Sequence, residues 1–206
     1  MNTGYFDEYI HYKNTGIKSK AKELIRKFID SFENYAEKEQ WTVEYLPKLE
    51  MDSNGRIRNE LFEEIIFPVL LNGYNNRNTF LMIWLAKLKQ NYYQNAGVWK
   101  KMNYKTEVEI IRECYELEPD NNDVTDLFLE IMIDRMDFNM HELPEGILFG
   151  NSFATKDECK ILLERIEFMN KLDRNKKYSE YLCDCREKIT EYMELRTKSW
   201  LSCPDI

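Results

Sequence analysis

From Ser19 to Ala36 the apolar residues Ala21, Leu24, Ile25, Phe28, Ile29, Phe32 and Tyr35 recur three and four residues apart. A backbone that advances about 100° per residue collects such positions on one side, so the spacing predicts a helix with a single core-facing stripe. Strands would need alternation and frequent turns. Only seven Gly and five Pro punctuate 206 residues, too few for a strand-rich chain of this length. An all-α fold is the expectation.

The same logic marks the other elements. A segment from Trp41 to Leu49, ended by Pro47 and followed by the turn signal Asn54-Gly55, reads as a short helix or an irregular connection. Ile57–Leu71 is predicted helical, with Pro68 kinking or limiting it and Asn72-Gly73 ending it. Asn78 or Thr79 is placed to cap a helix reaching about Gln94 with Phe80, Ile83, Trp84 and Leu88 on one side. Helices follow at about Lys105–Leu117 and Asp123–Met136. Thr155 and Glu158 have the spacing of a capping box and open a helix through Leu162, Ile166 and Met169. A last helix, Lys177 to about Thr197, shows a stripe of Tyr178, Tyr181 or Leu182, Cys185, Ile189, Tyr192 and Met193. Between Phe138 and Ala154, with Pro144, Gly146 and Gly150, no helical pattern survives, and long irregular loops in compact domains are often functional. No linker or low-complexity tract divides the chain, so one domain of about eight helices packed as hairpins is expected over residues 1–206.

Charge is distributed unevenly. Glu107 to Glu145 holds thirteen acidic side chains and two basic ones, Arg112 and Arg135, so the segment has a formal charge of 2 − 13 = −11 while the whole chain has −8. Such a field attracts cations and basic proteins and repels nucleic acid and anionic lipid. The first residues lack the basic start and apolar run of a secretory signal, and no apolar stretch is long enough to span a bilayer. Five cysteines without disulfide spacing suit a reducing compartment, so the expectation is a cytoplasmic protein with no membrane contact.

Tyr115-Glu116-Leu117-Glu118-Pro119-Asp120-Asn121-Asn122 joins two predicted helices and resembles the boundary between successive tetratricopeptide repeats. Cys114 fits the small-residue position before the proline, and the likeness covers residues 106–136, departing at Glu107 and Leu129 where the family has small residues. It implies an α-solenoid-like helical pair and peptide or protein binding on a concave face. In composition the chain is also similar in kind to bacterial immunity proteins that neutralise toxins. That likeness implies acidic helices covering a cationic active site, with Phe128, Phe138 and Phe149 as anchors.

Motifs for catalysis are sparse. Cys183 and Cys185 stand about 200° apart on a helix and cannot chelate one metal together, so Cys185 is expected in the core and Cys183 outside. His141-Glu142-Leu143-Pro144-Glu145 lacks the second histidine of a zinc-protease motif, which leaves His141 as a candidate polar-site residue in the loop. Asp120-Asn121-Asn122-Asp123 lacks the pattern of a calcium loop, and neither a phosphate loop nor a nucleophile elbow occurs. No cofactor or metal is therefore assigned. A basic-aromatic cluster, Lys171, Arg174, Lys176, Lys177, Tyr178 and Tyr181, reads as a solvated helix start or a phosphate contact.

The carboxylates themselves are the best site candidates. Glu109, Glu113 and Glu116 share one helical surface, and Asp123, Asp126, Glu130, Asp134 and Asp137 share another, with Asp120 at the turn. They admit a docking surface for a basic protein such as a toxin, a solvated exterior of a peptide-binding helical adaptor, or a metal-dependent hydrolase. The first, non-catalytic reading is taken as the expectation, with Phe128, Phe138 and His141 as companions.

Overall fold

The computed structural model describes residues 1–49, 57–149, 151–152 and 154–200. Helix accounts for 79% of the described residues, and the one sheet among them is a hairpin of two-residue strands, so the fold class is all-α. Among the described residues there are eleven helices rather than the expected eight or so. The Asn54-Gly55 turn, Gly150 and the tail from Leu201 with Cys203 lie outside the described residues. Contacts divide the chain into two compact units, Met1–Glu118 and Pro119–Ile206.

In the first unit, α1 (Thr3–Asn14) packs against α2 (Lys18–Asp30), whose Ala21, Leu24, Ile25, Phe28 and Ile29 are buried as their spacing predicts. The helix stops earlier than expected. Ser31 Oγ donates to the Phe28 carbonyl at 2.7 Å, and Asn34 Oδ1 accepts from the Glu37 amide at 3.0 Å to start α3 (Tyr35–Tyr45). Short polar side chains compete for the main chain at such places, so Tyr35 begins a new helix and is exposed. Phe6, Phe28, Phe32, Trp41 and Tyr45 meet as an aromatic cluster, Trp41 stacking on Tyr45 with centroids 4.5 Å apart.

Residues 59–75 form one helical rod, α4, built from Asn59–Leu61, a π-helical turn Phe62–Ile66 and Phe67–Asn75. Pro68 has no amide proton to give to the Glu64 carbonyl, which accepts Lys38 Nζ of α3 at 3.0 Å. The rod continues past the predicted stop at Asn72-Gly73. Gly73 is buried inside it, facing α5 (Thr79–Lys87), which Asn78 caps through the Leu81 amide at 3.1 Å. Leu88, with ψ of 26°, interrupts the predicted long helix, so α6 (Lys89–Tyr93) and α7 (Ala96–Lys101) follow separately. Of the residues expected on one side of this helix, Ile83 and Leu88 are buried and Phe80 is 38% exposed, while Leu81, Met82, Leu85 and Ala86 are buried as well. An almost wholly apolar segment gives no stripe to read. Thr106 and Glu109 form a capping box on α8 (Glu107–Leu117), which packs on α5.

The second unit begins at Pro119. Its α9 (Asn122–Glu142) is capped by Asn121 and runs six residues beyond the predicted Met136, taking Phe138 and His141 out of the expected loop and into a helix. Pro144 lies in the 3-10 turn Leu143–Glu145 that follows, and Gly146 adopts a φ of 74° that favours glycine. Strands β1 (Ile147–Leu148) and β2 (Asn151–Ser152) pair antiparallel, Leu148 opposite Asn151. The Thr155–Glu158 capping box opens α10 (Lys156–Leu172) as predicted, and α11 (Ser179–Trp200) packs on it. Leu162, Ile166, Met169, Leu182, Cys185 and Ile189 fill the interface as their periodicity implies.

Candidate functional site

The acidic block straddles the two units. Glu107–Glu118 carries five acidic residues and Arg112 in the first, and residues 119–145 carry eight with Arg135 in the second. Over whole units the charge is 17 − 18 = −1 for Met1–Glu118 and 12 − 19 = −7 for Pro119–Ile206. The net charge therefore belongs almost entirely to the second unit, and within it to residues 119–145, which alone sum to 1 − 8 = −7.

On α8 the predicted carboxylates are committed to structure. Glu109 accepts the Thr106 amide at 2.8 Å and the Thr106 hydroxyl at 2.7 Å, and these bonds, the amide first, hold its carboxyl below the ordinary range. Glu113 accepts the Tyr74 hydroxyl at 2.6 Å and also bonds Lys105 Nζ, which reaches Tyr74 as well. That pairing raises the Lys105 ammonium, through Glu113 first, while burial raises the Tyr74 phenol. Glu107 is buried, with its carboxylate bonded to Tyr93. Only Glu116 of the predicted trio is exposed without such a bond, at the edge of an open cleft of about 490 Å³ with Tyr74, Arg77, Met82 and Glu113. The Tyr74–Lys105–Glu113 cluster had no signal in sequence, because Tyr74 of α4 stands 31 and 39 residues from its two partners.

On α9 the carboxylates are displayed. At 100° per residue, Asp123, Asp126, Glu130, Asp134 and Asp137 fall within an arc of about 80° along about 21 Å of one unbroken helix. All five are exposed. Lys177 Nζ approaches Glu130 at 3.8 Å and the Tyr181 hydroxyl approaches Asp137 at 3.5 Å, while Arg174 Nη2 stands 3.6 Å from Asp120. The basic-aromatic cluster at the start of α11 thus faces acidic side chains, and Lys177 also lies 4.8 Å from the Tyr178 ring centroid. Asp123 and Asp134 have no ion-pair partner among the described residues.

The aromatic companions divide. Phe128 is 1% exposed, packed edge-on against Phe168 at 5.6 Å, and so cannot anchor a partner. It projects from α9 opposite the carboxylate arc, where the core lies. Phe138 is 62% exposed at the edge of the arc. Phe149 is 37% exposed and carries the Arg165 guanidinium 4.7 Å from its ring centroid. His141 is an exposed residue of the last turn of α9, in line with the arc, its Nε2 3.8 Å from a Glu142 oxygen. Asp134, Asp137, Phe138, Met140, His141 and Lys188 line an open groove of about 450 Å³.

Among the described residues no three His, Cys, Asp or Glu side chains converge as a metal site, so the arrangement a metal-dependent hydrolase needs is not formed there. Cys185 is buried and Cys183 exposed, as their spacing predicts. Burial pushes the Cys114 thiol up to about 12 and raises Cys159 and Cys185 too, which leaves them poor nucleophiles. No described helix is long and apolar enough to cross a membrane. Comparison with known proteins finds no matching family model, no matching curated protein and no matching solved structure.

Proposed function

We propose that this protein is a non-catalytic binding protein whose α9 carboxylate face docks a basic protein partner, the narrower form of the reading being an immunity-type protein that covers a toxin's cationic site. The observation that carries it is the arc of Asp123, Asp126, Glu130, Asp134 and Asp137, exposed on one continuous helix in the unit that holds −7 of the −8 charge. Like charges at three- and four-residue spacing destabilise a helix by a few tenths of a kcal/mol per pair, and a basic partner relieves that repulsion. Complementary fields speed association roughly 10- to 1000-fold and reject wrong partners.

The test is capture of binding proteins from the native host's extract by the intact chain and by an Asp123→Lys, Asp126→Lys, Asp134→Lys variant, at low and high ionic strength. A basic protein retained by the wild type at low salt, weakened by salt and lost in the variant supports the reading. Equal retention by both chains removes it.

A further inference from the structure

The C-terminal part of α9, from Asp134 on, differs from the rest of its carboxylate face. Asp134, Asp137, Phe138 and His141 stand at positions i, i+3, i+4 and i+7, the spacing with which a helix addresses a partner lying along it. Phe138 is 62% exposed there, in an open groove of about 450 Å³ completed by Met140 and by Lys188 of α11. A large exposed ring amid charged residues supplies what the rest of the arc lacks, apolar area that a partner covers. Lys188 does not close the groove to cations, since its ammonium is held 2.7 Å from Asp184.

The charge of this surface selects among occupants. A second copy would bring the same Asp134, Asp137 and −7 unit against their like, and anionic lipid or nucleic acid would be repelled. A cationic segment with a large apolar side chain meets both features. Its ammonium or guanidinium groups reach Asp134 and Asp137 while the apolar group covers the Phe138 ring.

Resting on the docking reading above, we infer that this groove is the anchor point of the partner and takes a Lys- or Arg-flanked aromatic or large aliphatic residue. The remaining carboxylates, Asp123 to Glu130, then act as the longer-range electrostatic part of the same surface.

Two short oligolysine peptides of equal length and charge, one with a central alanine and one with a central tryptophan, test this by fluorescence anisotropy with the full chain at low salt. The tryptophan peptide is expected to bind the wild type roughly tenfold more tightly or better. Phe138→Ala should abolish that preference, and Phe138→Leu should keep part of it. Asp123→Lys with Asp126→Lys should weaken both peptides alike. Equal binding of the two peptides to the wild type, or a preference that survives Phe138→Ala, overturns the anchor while leaving the docking surface standing. Failure of both peptides to bind the wild type overturns the two together.

Discussion

Gly73 of α4 lies so close to Leu81 of α5 that a β-carbon on it would fall 2.4 Å from Leu81 Cδ1 and 2.5 Å from Leu81 Cβ. Real carbon atoms do not approach within such distances, so only a glycine lets these two helices meet at this point. Gly73→Ala is expected to destabilise the first unit by about 1–3 kcal/mol, despite alanine's better helix propensity. Chemical denaturation measures it. Combined with Leu81→Ala it should lose less than the sum of the two single variants, because Leu81→Ala removes the Cγ and Cδ1 that the added methyl group strikes, leaving only the Cβ in its way. Strictly additive losses would show that the contact is not tight.

Two phenylalanines ten residues apart on α9 should behave oppositely. Phe128, buried against Phe168, is expected to lose about 3–5 kcal/mol on truncation to alanine. Phe138, exposed, should stay within about 0.5 kcal/mol of wild type in the same denaturation experiment. Comparable losses at both positions would mean that the ring of Phe138 is covered.

The capping boxes predict local effects. Thr106→Ala and Thr155→Ala should each lower stability by about 1 kcal/mol, with faster amide exchange confined to α8 and to α10 respectively. The Thr106 box also has a pH signature. Because the folded Glu109 carboxyl lies below its unfolded value, its contribution is present above about pH 4.3 and fades as pH falls through the folded value. Thermal unfolding between pH 3 and 6 should therefore show a shallower acid loss in Thr106→Ala than in wild type. Identical slopes would show that the Thr106 hydroxyl adds nothing to the hold of its amide on the Glu109 carboxylate.

Thiol chemistry should sort by burial. With iodoacetamide at about pH 8, Cys183 is expected to react readily, whereas Cys114, Cys159 and Cys185 should be modified only as the chain opens. Peptide mapping assigns each site. The folded thiol of Cys114 is pushed up to about 12, above its unfolded value near 8.5, so its stabilising effect is complete below about pH 8.5 and declines as pH rises toward 12. Early labelling of Cys114 in the native chain would contradict its burial.

The local code of this chain fixes its helical class, the buried stripes of α2, α10 and α11, the Thr155–Glu158 capping box and the place where the negative charge collects. Each follows from residues within a turn or two of one another, whose spacing sets a face or satisfies an orphan amide. The position of Phe128 was legible too once the helix is drawn to Glu142, since it stands opposite the carboxylates. Tertiary packing alone decided the rest. The close meeting of α4 with α5 rests on Gly73 against Leu81, and the fate of the Glu64 carbonyl rests on Lys38, contacts that no local pattern encodes. Which carboxylates remain available was decided the same way: Tyr74 of α4 and Lys105, just ahead of α8, occupy Glu113, whereas no described cation pairs with Asp123 or Asp134 on α9. Sequence places charge along a helix, but only the elements folded beside it determine which charges still face solvent.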